Sequence, residues 1–119
     1  MTVSKKLHVV TSVTKSYMEL YEGYFLGTLP SDVEEENLHV FHLPDKFDNC
    51  RSKSSLLAEL EKVRLENVYN LMIENMGDNI FYIDVDVAFA TGASFVEEIN
   101  NLLLHNDIVF QFKIGRAHV

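Results

Sequence analysis

The sequence predicts an α/β protein whose single, mostly parallel sheet is incomplete on its C-terminal side. Two observations indicate this fold class. Short apolar runs rich in β-branched residues alternate along the chain with longer stretches that have helical spacing. The order strand, helix, strand, helix, strand, helix, strand is typical of an open, mostly parallel sheet. The near-continuous apolar run "IFYI" (80–83) also suits a strand covered on both faces.

Four segments have the composition of strands. They are LHVVTSV (7–13), NLHVFHL (37–43), NIFYIDV (79–85) and DIVFQF (107–112). We expect the third to lie centrally in the sheet, with its polar end at the carboxyl edge.

Three helices are expected between these strands. The first covers residues 16 to about 26, the second 54–76, and the third begins at Ser94. Ser16 with Glu19, and Ser94 with Glu97, have the spacing of capping boxes, and Gly77 is a C-cap candidate. The predicted inward positions are Tyr17, Leu20, Tyr21 and Tyr24; Leu60, Val63, Val68, Leu71 and Met72; and Phe95, Ile99, Leu102 and Leu103.

Composition limits the classes of function. The chain has 119 residues, 47% of them hydrophobic, and a formal charge of -8. The amount of apolar material suits one globular core, and the acidic balance argues against a nucleic-acid or anionic-membrane partner. Cys50 is the only cysteine, and no apolar stretch approaches the ~18 residues of a membrane span. We expect a cytoplasmic protein, while an upstream extension or Golgi or membrane targeting stays open.

The last six residues, 114–119, raise a separate expectation. The codons ATC GGA AGA GCA CAC GTC would encode "IGRAHV", and they match one frame of a common sequencing adapter. We therefore expect 114–119 to be non-native and 1–113 to be the N-terminal part of a longer domain.

Asp84 and Asp86 follow the third apolar run at the edge where open α/β sheets bind ligands. Side chains two residues apart on an extended chain point to the same face, so both carboxylates reach one site. Two converging carboxylates repel each other unless a cation is nearby, and Mg²⁺ and Mn²⁺ prefer oxygen ligands. The pair therefore predicts a divalent metal site.

The segment "DNIFYIDVDVAF…LLLHNDIVFQF" resembles the DxD region of the nucleotide-diphospho-sugar transferase group of GT-A-fold glycosyltransferases. In that group an apolar strand ends in D-x-D, a helix follows, and the next strand is similar to "DIVFQ". A basic residue in the helix before the DxD strand is also usual, and Lys62 and Arg64 are the candidates here. The resemblance covers roughly the second half of the chain and implies a Rossmann-like GT-A sheet.

The resemblance further implies transfer of a sugar from a nucleotide-diphosphate donor to an unknown glycan, lipid or protein acceptor. Mn²⁺ or Mg²⁺ would join the diphosphate to Asp86, and Asp84 would bind the metal or the ribose. The candidate nucleotide-sugar-binding residues are Thr11, Ser12, Thr14, Lys62, Arg64 and Asp84.

Simpler roles stay open for several of these candidates. The three hydroxyl residues also suit a helix cap or turn, and the two basic residues could pair with Glu61 or Glu66 on the helix surface. His8, His39 and His42 lack metal-ligand spacing and are expected to be structural.

Two other functions remain as alternatives. Mg²⁺-dependent phosphatases of the haloacid-dehalogenase type also end an apolar strand in D-x-D. They follow it two residues later with Thr or Val, where this chain has Ala88, and their motif normally opens the domain. The other alternative is a non-catalytic α/β binding module.

Overall fold

The computed structural model describes residues 6–48, 54–85, 89 and 94–104. Its three strands are β1 (Leu7–Val13), β2 (Leu38–His42) and β3 (Asn79–Tyr82). They form a parallel sheet in the order β2-β1-β3, which confirms a mixed α/β fold. The predicted strand at 107–112 and the tail at 114–119 lie outside the described residues.

Among the described strands, β1 lies between β2 and β3. Val10 lies opposite both His39 of β2 and Tyr82 of β3, so β1 is hydrogen-bonded along both edges. All seven residues of β1 are buried, whereas the four residues of β3 are only partly buried. The "IFYI" run therefore has less cover in the described part of the chain than its apolar character predicted.

The first predicted helix is a chain of short turns. A 3₁₀ turn (Lys15–Tyr17), an α-helical turn α1 (Met18–Leu20), a π turn (Tyr21–Phe25) and a second 3₁₀ turn (Leu26–Thr28) follow one another. Phe25 is fully buried, while Tyr24 of the predicted inward face is 43% exposed. The capping box predicted at Ser16 is wrong, because Ser16 lies inside the first turn and its hydroxyl donates to Asp48.

The second helix, α2 (Ser54–Glu74), follows the prediction closely. Leu60 and Leu71 are buried on its inner side, although Met72 is 50% exposed. Gly77 follows the helix with a φ of +93°, a backbone conformation that residues with a Cβ rarely adopt. This agrees with the predicted C-cap.

The third helix, α3 (Phe95–Leu104), begins directly after Ser94 as predicted. Its buried residue is Phe95, whereas Leu102, predicted to face inward, is 48% exposed. A residue distant in sequence caps the first turn of α3: the backbone N–H of Val96 donates to Asp32 Oδ2 at 2.8 Å. Asp32 lies in the acidic loop before β2.

Two apolar clusters cover opposite faces of the sheet. The larger joins odd-numbered residues of β1 to the first helical segment and to α3, and its buried members are Leu7, Val9, Val13, Phe25, Val33, Val85 and Phe95. The smaller joins Leu60 of α2 to Leu43 and Phe47, which follow β2. Helix α3 packs on β1, and α2 packs on β3.

Within the described residues, no helix combines the length and the apolar character needed to cross a membrane.

Candidate functional site

The carboxyl ends of β1 and β3 lie side by side because the two strands are parallel neighbours. Ser12 near the end of β1 and Tyr82 at the end of β3 point to the α2 side of the sheet, opposite the face that carries Val13 and Phe81. Asp84 follows two residues after Tyr82 and is exposed. Its carboxylate forms no hydrogen bond or ion pair with another described residue.

Tyr82 connects the polar groups at this edge. Its hydroxyl donates to Ser12 Oγ over a long 3.4 Å. Burial raises the pKa of Tyr82, while the Ser12 hydroxyl and the Arg64 guanidinium act to lower it and the charges of Asp84 and Glu61 act to raise it. Of the predicted residues, Ser12 contacts the Tyr82 hydroxyl, and Arg64 and Asp84 influence its pKa through their charges.

Arg64 reaches this edge from α2. Its Nη1 donates to Glu61 Oε1 at 3.0 Å, and its side chain is 29% exposed. Its buried Nε has no hydrogen-bond partner among the described residues. Pairing with Glu61 therefore occurs, as the simpler interpretation predicted, but it uses only part of a guanidinium that carries five N–H donors.

Lys62 and Thr11 lie elsewhere. Lys62 is exposed on the outer side of α2, in a shallow groove that Leu65, Glu66 and Tyr69 also line. Thr11 is fully buried on the β1 face that carries Val9 and Val13, and its hydroxyl lacks a partner among the described residues. Neither side chain joins the group around Tyr82.

Thr14 lies just past β1, beside a second carboxylate. Asp48 accepts hydrogen bonds from both the hydroxyl and the backbone N–H of Ser16. The Ser16 hydroxyl is the main cause that lowers the pKa of Asp48, and Thr14 contributes although its hydroxyl does not reach hydrogen-bond geometry. A group of polar side chains therefore lies just after the C-terminal end of β1, formed by Thr14, Ser16 and Asp48.

Asp86 lies outside the described residues. No group of three His, Cys, Asp or Glu side chains with metal-binding geometry occurs in the described part of the chain. Tyr82 and Asp48 were missed by the sequence analysis. The same period of two that grouped Asp84 with Asp86 also puts Tyr82 on their face, so it could have been found, whereas nothing local indicates Asp48.

Comparison of the chain with models of protein families, with curated proteins and with solved structures finds no match.

Proposed function

We propose that this chain carries the donor site of a metal-dependent glycosyltransferase, on a Rossmann-like GT-A sheet, and that it binds a nucleotide-diphosphate sugar at the carboxyl ends of β1 and β3. The observation that carries the proposal is that the exposed Asp84 carboxylate, two residues past β3, and the Arg64 guanidinium of α2 both act on the Tyr82 hydroxyl at the end of β3. A carboxylate for a cation and a guanidinium for phosphate are the two groups that a metal-bound diphosphate requires.

The residues present suit a hard divalent ion. Asp84 offers carboxylate oxygens that form no hydrogen bond or ion pair with another described residue, and Asp86, which lies outside the described residues, is the second carboxylate of the predicted pair. A bound Mn²⁺ or Mg²⁺ would neutralise the negative charge that develops on the leaving nucleoside diphosphate. A cation here also explains how an acidic chain binds an anionic donor, because the ion reverses the local sign of charge.

Different side chains would bind different parts of the donor. Arg64 has N–H donors beyond the one used by Glu61, and a guanidinium binds phosphate oxygens in a fixed geometry. Ser12 and Thr14 are buried at the end of β1, and their hydroxyls would bind the ribose or base. Thr11, on the opposite face, would act only through the packing of β1.

Equilibrium dialysis tests the proposed substrate class. In Mg²⁺, the chain should retain labelled nucleotide-diphosphate sugars, and unlabelled nucleoside diphosphates should displace them. Sugar phosphates, which are phosphomonoesters without a nucleoside, should not compete, because they lack the group that the β1 residues would bind. Preferential retention of a phosphomonoester would favour the phosphatase instead, and retention of neither compound would favour a non-catalytic module.

A further inference from the structure

A chain of three polar side chains joins the amino ends of the strands, at the edge opposite the candidate donor site. His8 is 4% exposed in the second position of β1. Its Nε2 lies 2.9 Å from Asp78 Oδ2, just before β3, and its Nδ1 lies 2.9 Å from Nε2 of His39, in the second position of β2. One buried imidazole therefore links β1, β2 and the turn that leads into β3.

The hydrogen bonds restrict where protons sit. An ionised Asp78 only accepts, so His8 Nε2 carries a hydrogen. When both rings are neutral, His8 Nδ1 accepts from His39 Nε2–H. One added proton leaves the contact intact on either ring, because one of the two facing nitrogens still has a lone pair. A second proton puts hydrogens on both facing nitrogens, and the bond between the rings is lost.

We propose that His8, His39 and Asp78 form a pH-sensitive latch, which holds the amino end of β2 against β1 near neutral pH and releases it when both rings are protonated. The latch rests on the two 2.9 Å contacts and the burial of His8, and it is independent of the proposed function.

The charged groups around the latch set its direction. Burial lowers the pKa of His39 from its ordinary 6.5, and His8 lowers it further, while Glu74 at the end of α2 acts to raise it. The hydrogen bond from His8 lowers the pKa of Asp78, and Lys6 contributes in the same direction. Asp78 therefore stays ionised through the range in which histidine titrates.

The sign of the pH effect follows from these directions. Because the pKa of His39 is lower in the folded chain, the unfolded chain binds more protons as the pH falls below about 6.5. The contribution of His39 to the free energy of unfolding is therefore fully present above that pH. It is lost as the pH falls towards the folded-state pKa of His39. Asp78 contributes a separate loss only at more acidic pH, as it titrates.

The test compares the whole chain with His39→Gln and with the control His42→Gln, which changes an exposed histidine on the same strand. The side-chain amide N–H that His39→Gln introduces should replace the His39 Nε2–H as donor to His8, but it does not titrate. In urea titrations between pH 7.5 and 5, the wild-type unfolding constant should rise by up to about tenfold per pH unit in the sensitive range. In His39→Gln, the logarithm of the unfolding constant should change less steeply with pH, by the contribution of one bound proton. His42→Gln should show the same pH dependence as the wild type.

Two further measurements on the wild-type chain locate the effect. The ¹⁵N titration midpoint of the His39 ring should be lower in the folded chain than in urea. Backbone amides of β2 should exchange faster at acidic pH, after correction for the intrinsic rate, than those of β3. Equal pH slopes for wild type and His39→Gln, or an unshifted His39 midpoint, would overturn the latch. If His39→Gln does not fold, the ring titration decides alone.

Discussion

Arg64 carries more hydrogen-bond donors than its helix neighbours use. Glu61 binds Nη1, and the buried Nε has no partner among the described residues. A buried unpaired donor costs free energy, so such a group is better satisfied when an acceptor binds. The sequence indicated both Arg64 and Lys62, because both stand before the DxD strand, and favoured surface pairing slightly for Lys62. Only the direction in which each leaves α2 separates them, and that depends on how the helix packs.

We expect Arg64→Gln to weaken binding of a nucleoside diphosphate by roughly 10- to 150-fold, the equivalent of a lost charge-assisted hydrogen bond. Lys62→Gln is the matched control, because it removes the same charge from the outer side of the same helix and should change affinity little. Fluorescence titration with a labelled nucleotide measures both. Equal losses in the two variants would show that general charge, and not the position of Arg64, is responsible.

At the scale of elements, the ends of the helices differ in how far they could be predicted. The end of α2 follows from a local signal, since Gly77 supplies the positive φ that terminates the helix. The start of α3 depends on Asp32, which is 64 residues from Val96 in the chain. The Ser94 hydroxyl instead lies 3.4 Å from Glu98 Oε1. Local spacing located this helix end, but only tertiary structure shows that Asp32 caps it.

Asp32→Ala should lower the free energy of unfolding by about 0.5–2 kcal/mol, because Val96 N–H loses its acceptor. Asp32→Asn keeps a side-chain oxygen and should recover most of this loss. Glu34→Ala, in the same loop, is the control for removing an exposed acidic residue. Urea unfolding followed by circular dichroism measures all three, and equal stability of Asp32→Ala and wild type would contradict the cap.

For the whole molecule, the alternation of periods predicted the α/β class, the parallel sheet and the bounds of β1. It did not predict that β1 is the central described strand, because strand order depends on packing between segments distant in sequence. It was wrong for Met72 of α2, which it placed inward and which is 50% exposed. Leu65 and Tyr69, which it did not place inward, are 69% and 63% exposed, whereas Leu71 is 5% exposed. Helical period alone does not tell which side of a long helix is covered.

This asymmetry of α2 predicts unequal costs for the same substitution. Leu71→Ala should destabilise the fold by about 2–5 kcal/mol, since it removes a buried side chain and leaves a cavity. Leu65→Ala should change stability by no more than about 0.5 kcal/mol. Thermal and urea unfolding of the two variants provide the comparison, and a larger loss for Leu65→Ala would mean that the outer side of α2 is covered in solution.

The proposed function requires metal and nucleotide to bind together at the carboxyl edge of the sheet, and calorimetry measures this coupling. Titration of a nucleoside diphosphate into the wild-type chain should give an affinity at least about tenfold higher with Mn²⁺ than without it, a coupling of about 1.4 kcal/mol. Asp84→Asn and Asp86→Ala should reduce this difference, and Glu97→Gln on α3 should preserve it. A nucleotide affinity that is the same with and without Mn²⁺ in every variant would contradict the proposed function.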